Sequence, residues 1–170
     1  MVGLCDFFVS TVGEDKNIGT DYIHALKTLS CAMNPNCNAG IKSGAVICLL
    51  VGTYGIEKTL TPQIASEATL TIKTLGQAQS VTLDGKLKQH IFNGGSHLMN
   101  FEGIRFVNGS GSSGGAFYGE RNARFVDCAF ENNVASIHGG AVMTGRNVEF
   151  INCIFKDNHA SFGGAVRTSV

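Results

Sequence analysis

Along the C-terminal half of the chain, apolar residues fall in short runs separated by glycine, asparagine and aspartate, and the runs recur. Three segments align: Phe101-Glu102-Gly103-Ile104-Arg105-Phe106-Val107-Asn108-Gly109, Phe125-Val126-Asp127-Cys128-Ala129-Phe130-Glu131-Asn132-Asn133 and Phe150-Ile151-Asn152-Cys153-Ile154-Phe155-Lys156-Asp157-Asn158. Each keeps one Phe five residues before another. Each is followed by a second element, Gly114-Gly115-Ala116-Phe117, Gly139-Gly140-Ala141-Val142 and Gly163-Gly164-Ala165-Val166. From Phe106 to Phe130 is 24 residues and from Phe130 to Phe155 is 25, while the glycine pairs recur after 25 and then 24. A period of this length, built from strand-type runs, is too short for a helix pair or a propeller blade and matches one coil of a parallel β-helix.

In such a solenoid each strand pairs with its equivalent one coil away, at about 4.8 Å, so like residues stack on like. The pattern therefore predicts two aromatic ladders, Phe101/Phe125/Phe150 and Phe106/Phe130/Phe155, and a third column of Ile104, Cys128 and Cys153. Asn133 and Asn158 are assigned to corners, where asparagine tolerates left-handed backbone and can bond to the coils on either side. The paired glycines, Gly114-Gly115, Gly139-Gly140 and Gly163-Gly164, permit positive φ and close approach of adjacent coils.

Upstream the repeat blurs, but Leu70–Gly76, Val81–Gly85 and His97–Phe101 still read as short alternating strands, and Ala45–Val51 as a strand-sized β-branched run. The last is the longest apolar run and is far short of the roughly 18 residues of a spanning helix. The first 43 residues differ. Phe7–Ser10 reads as a strand and Gly13–Gly19 as a loop. Thr20 is placed to cap a helix with Asp21 in its first turn, and Ile23, Leu26 and Leu29 recur at helical spacing. The expectation is an all-β chain forming a single domain: an N-terminal cap of strand, loop and α-helix over 1–43 that covers the open end, then coils over 44–170, clearest in 101–170.

The chain has 170 residues, with 13 Lys plus Arg against 13 Asp plus Glu, so no net field draws it to nucleic acid or an anionic membrane. Met1-Val2-Gly3-Leu4-Cys5-Asp6 carries no basic region followed by a long apolar one, and no signal peptide is legible there. The six cysteines suit an oxidising compartment. Cys31 and Cys37 flank a loop of turn formers just after the expected helix, the arrangement of a local disulfide. Cys5 and Cys48 meet only if the first strand lies along the first coil, which the sequence leaves open. Cys128 and Cys153 share a column; their Cα atoms fall in disulfide range, but in-register side chains run parallel, so free stacked thiols are expected in preference to a bridge.

Candidate chemistry is sparse. Gly109-Ser110-Gly111-Ser112-Ser113-Gly114 spells a dinucleotide fingerprint, but Gly114 belongs to the repeated pair and Ala116-Phe117-Tyr118 continues as strand, so a solenoid corner is expected and no cofactor. Among the acids, Glu102 and Asp127 are aligned as one repeat position, replaced by Asn152 in the next coil, so no acidic column persists and no catalytic residues are assigned. His24, His90, His97, His138 and His159 fall at unrelated positions and read as solvated loop residues, with no metal site among them. Asn108-Gly109-Ser110 is a glycosylation sequon at a corner, making Asn108 a candidate acceptor.

Phe8-Val9-Ser10-Thr11-Val12-Gly13, Ala25-Leu26-Lys27 and Val51-Gly52-Thr53-Tyr54-Gly55 resemble the opening of pectin-lyase-like right-handed β-helices. The Phe-x-x-Asn and Gly-Gly-Ala-(Ile/Leu/Val) elements are similar to the repeats of chlamydial polymorphic outer-membrane proteins, with departures at Gly109 and Phe117. The resemblance implies a right-handed parallel β-helix working as a non-catalytic structural module of an extracellular or cell-surface protein, a rigid rod for adhesion or assembly. A carbohydrate-active enzyme or lectin of the same fold, with a surface glycan as ligand, is the second expectation, and the leading fragment of an autotransporter-like adhesin the third. Because nothing after Gly163-Gly164-Ala165 blunts the terminal coil, Ala165–Val170 is expected to pair with further sequence, a partner or another copy in an end-to-end filament.

Overall fold

The computed structural model describes residues 5–38 and 40–169. In chain order the elements are β1 (Phe7–Val9), α1 (Leu29–Ala32), β2 (Val46–Leu49), β3 (Gly52–Gly55), β4 (Thr69–Thr74) and β5 (Val81–Asp84). There follow β6 (Phe92–Gly95), β7 (Leu98–Glu102), β8 (Ile104–Val107), β9 (Ser110–Ser113), β10 (Phe117–Gly119) and β11 (Ala123–Val126). The last are β12 (Ala129–Glu131), β13 (Val134–His138), β14 (Val142–Thr144), β15 (Val148–Ile151), β16 (Ile154–Lys156) and β17 (Val166–Thr168).

All the strand pairs are parallel, and they stack into a β-solenoid of about five turns. Three sheets form its sides, in the orders β1-β2-β4-β7-β11-β15, β3-β5-β8-β12-β16 and β6-β10-β14-β17; β9 and β13 make a short fourth. The repeat read from the sequence is the pairing register. Phe125 sits between Phe101 and Phe150, and Phe130 between Phe106 and Phe155.

The aromatic columns hold the interior together in two directions. Along the axis the rings stack nearly flat: Phe101–Phe125 at 5.1 Å, Phe106–Phe130 at 5.0 Å and Phe130–Phe155 at 4.9 Å between centroids. Across the coil the sides meet edge to face, Phe101 against Phe106 at 85° and Phe117 against Phe125 at 81°. Both geometries favour the ring quadrupole and add to simple area burial. Phe92 and Phe117 begin a third inward column, which continues as Val142 and Val166.

Corners divide their labour between adjacent residues. The left-handed conformation belongs to Asn108, Asn132 and Asp157, one residue before the positions assigned to it, and also to Gly103, Asp127 and Asn152 at a second corner. Asn133 and Asn158 instead turn inward. The Asn133 amide donates to Phe106 O at 3.0 Å and to Asn158 Oδ1 at 2.9 Å, while its own Oδ1 accepts from Gly109 N at 2.8 Å. Asn158 repeats the bond one coil on, donating to Phe130 O at 2.8 Å. Gly109, which departs from the repeat, is thus served by the asparagine of the next coil. Asn133 is fully buried, so Asn133→Ala is expected to orphan several polar groups and cost about 2 kcal/mol. Urea denaturation checks this, with the exposed Asn36→Ala as a control near zero.

The glycine pairs act as expected. Gly114 has φ +65°, and a Cβ on Gly115 would come within 2.6 Å of the Gly140 carbonyl in the next coil.

The N-terminal segment departs from expectation. Residues 20–24 form bends and turns, and the helix is one turn, Leu29–Ala32, capped by the Thr28 hydroxyl, which accepts from Cys31 N at 3.1 Å. Asp21 has its carboxylate bonded to Ile23 N and His24 N, an Asx turn that competes with helical bonding. Leu26 is drawn into sheet pairing: it bridges Val9, its N–H donating to Phe8 O and its carbonyl accepting from Ser10 N. Leu26 is therefore buried while Ile23 is 70% exposed, which helical spacing does not allow for. β1 is itself the first strand of the largest sheet, so the solenoid begins within the segment assigned to the cap.

Candidate functional site

The two ends of the solenoid are treated differently. At the first coil, Leu26 covers the free edge of β1, and Leu60 bridges Phe92 at the start of the third sheet. At the last coil, β15, β16 and β17 each stand at the end of their sheet, and none has a strand beyond it among the described residues. Phe125, Phe130, Cys128 and Val142 are buried, whereas their counterparts Phe150, Phe155, Cys153 and Val166 are only partly so. Ile154 is 52% and Phe162 57% exposed. This coil joins apolar side chains to three unpaired backbone edges, which together favour pairing with another strand-bearing surface. Arg167 lies over the Phe162 ring at 5.8 Å and places a cation at its margin. Val170, the final residue of the expected contact, lies outside the described residues, as do Met1–Leu4.

The cysteines fall into two groups. Cys5 is bonded to Cys48 and Cys31 to Cys37, with Cα separations of 5.7 and 5.2 Å. The condition for the first pair is met because β1 lies in register on β2, with Phe8 opposite Cys48. Cys128 and Cys153 are free thiols in adjacent coils. Carbonyl oxygens surround them, Val126 O at 3.3 Å from Cys128 Sγ, and Phe125 O and Ile151 O each at 3.4 Å from Cys153 Sγ. The hydrogen bond between the thiols, and then burial, pushes the Cys128 thiol well up; the same hydrogen bond holds Cys153 down, at about 7.

Asn108, the sequon residue, is half-buried in left-handed backbone, and its amide nitrogen donates to Asp84 Oδ1 at 3.0 Å, which engages the atom a glycan would use. The glycine-rich run forms β9 paired to β13 and turns only at Gly114, so it is a strand leading into a corner. Glu102 pairs with Val126, which places Asp127 opposite Gly103; the two acids are not one column. Asp127 instead accepts from Asn152 Nδ2 at 3.2 Å.

Not every histidine is a solvated loop residue. His97 is buried, with its ring nitrogens 2.9 Å from Gly94 O and 3.3 Å from Ile64 O, tying a loop to the coil. His90 Nδ1 lies 2.9 Å from Gly114 O, and His138 ends β13 with Nδ1 3.4 Å from Ser113 Oγ. His24 pairs with Asp21 at 3.0 Å. His159 works through its backbone, bridging Val134. Each polar group is engaged separately with its own neighbours.

The outer faces carry cross-coil ion pairs the repeat did not advertise, Arg105 with Glu131 at 2.9 Å and Arg124 with Glu149 at 2.8 Å. Among the described residues, no helix is long and apolar enough to cross a membrane. No protein-family model, curated protein or solved structure matches the chain.

Proposed function

We propose that the chain is a non-catalytic structural module of an extracellular or cell-surface protein, a rigid β-solenoid rod whose last coil is an assembly face for a second copy. The carrying observation is the last coil, where β15, β16 and β17 all end their sheets among the described residues and Phe150 and Phe155 are half-buried, whereas at the first coil Leu26 and Leu60 bridge two of the three terminal strands and leave only β3. Two disulfides near the first coil fit an oxidising compartment.

The bridges at the first coil disfavour an open head-to-tail filament, because among the described residues only β3 there is left without a strand or bridge beyond it, against three such strands at the last coil. Two terminal coils facing each other give an isologous contact that closes as a dimer. A two-fold axis through β15 pairs it with its own copy and sets β16 beside the partner's β17, both three residues long.

Sedimentation at micromolar concentration tests this. The chain is expected to run as a dimer, and Ile154→Lys with Thr168→Lys, both exposed positions on edge strands, as a monomer with unchanged circular dichroism. A monomeric parent chain, or a double variant that still dimerises, overturns the reading.

A further inference from the structure

We propose that a groove beside the first coil binds a small amphipathic anion, an aliphatic carboxylate being the simplest ligand of that class. The groove lies between the turn carrying Lys27–Ser30 and the stretch from β3 to Leu60, and encloses about 440 Å³. That volume falls within the range of small-molecule sites, roughly 300 to 1,000 Å³. Its floor is apolar: Leu29, Tyr54, Ile56 and Leu60 line it and are themselves buried. The Tyr54 hydroxyl is turned away, toward Leu50 O at 2.7 Å and Val9 O at 2.9 Å, so the ring adds apolar surface and no hydrogen bond.

The rim supplies the charge. Lys27 and Lys58 line the groove and are exposed, and among the described residues neither ammonium group has an ion pair or hydrogen bond. The nearby acids are already committed. Glu57 is paired with Lys86 and also feels Lys88, while Asp15 accepts from Lys27 N, Thr28 N and the Thr28 hydroxyl. Of the charged residues that line the groove, Lys27 and Lys58 are therefore without a partner while Glu57 is held by Lys86, an excess of cation at the mouth of an apolar trough. A ligand with an apolar body and a terminal carboxylate satisfies both features, whereas a neutral body leaves the ammonium groups unmatched and a cationic one is repelled. This site is separate from the terminal coil, and its test does not depend on the oligomeric state.

The experiment is a titration of the disulfide-intact chain with decanoate, below its micelle concentration, read by amide chemical shifts. Saturable shifts centred on Leu29, Ile56 and Leu60 are expected, with weaker binding of decanol and none of acetate or decyltrimethylammonium. Lys27→Glu with Lys58→Glu is expected to weaken decanoate about tenfold and to admit decyltrimethylammonium. Thr53→Trp, at an exposed position lining the groove, is expected to abolish binding while leaving the thermal melt unchanged. The proposal is overturned by decanoate shifts that do not saturate or fall elsewhere, by equal binding of the cationic amphiphile, or by binding that survives both variants. Capture of an acidic peptide with no response to decanoate overturns it as well.

Discussion

Phe130→Ala is expected to destabilise the chain by about 3 to 5 kcal/mol, the cost of deleting a large ring from a site that cannot collapse. Phe130 is fully buried and lies between Phe106 and Phe155, whose ring centroids stand 5.0 and 4.9 Å away in nearly parallel planes, with Phe125 edge-on at 5.1 Å. The neighbouring rings are fixed by strand registers set at the 4.8 Å scale, so they cannot slide along the axis to fill the void. Solenoid stability is carried by interfaces between adjacent coils, and this truncation weakens two of them at once. Phe155→Ala provides the internal comparison. It has one stacked neighbour and is only partly buried, so it should cost about half as much. Urea denaturation of both variants decides the matter: equal losses, or a Phe130→Ala effect below about 1.5 kcal/mol, would mean that the ladder is not the principal source of cohesion.

The same ladder explains how much of the fold could be read from the chain. A stacked column demands the same residue type at a fixed period, so the inward Phe positions announce both the strand and its partner one coil away. The paired glycines are legible for a similar reason: Gly115 sits where any Cβ would strike a backbone carbonyl. The corners were half legible. Asn-Asn and Asp-Asn signal a turn, yet which of the two takes the left-handed backbone and which points inward depends on the ladder of bonds to neighbouring coils, as Asn132 and Asn133 show. The N-terminal segment is not legible in this way: Ile23, Leu26 and Leu29 match a helix by spacing, while the decision lies with partners distant in sequence, Asp15 taking the amides of Lys27 and Thr28 and Phe8 that of Leu26. The groove rim was silent for the same reason. Lys27 and Lys58 lie 31 positions apart and come to one mouth only through the pairing of β1 with β2 and the turn into β3.

That pairing is pinned covalently, and removing the pin is the second large effect expected. Replacing Cys5 by Ser together with Cys48 by Ala should cost about 4 kcal/mol on the chain-entropy scale, since the bridge closes a loop with a sequence separation of 43. The Cys31–Cys37 bridge spans only six residues, and its removal should cost about 2 kcal/mol by the same relation. Alanine is the replacement at 48 because Cys48 is fully buried, and a hydroxyl there would add a cost unrelated to the crosslink. The effect should also be local. β1 is three residues long and reaches its sheet through Phe7, Val9 and the flanking bonds of Asp6 with Val46, so without the bridge its closure rests on few contacts. Amide exchange at Ser10 and Leu26, which bond across β1 to each other's segment, should accelerate well beyond exchange at Phe125 or Phe130. Loss of β1 would bare the edge of β2, so aggregation is expected to rise in this variant and not in the Cys31/Cys37 pair. Equal destabilisation by the two replacements, or uniform acceleration of exchange along the chain, would show that the first strand holds its place without the crosslink.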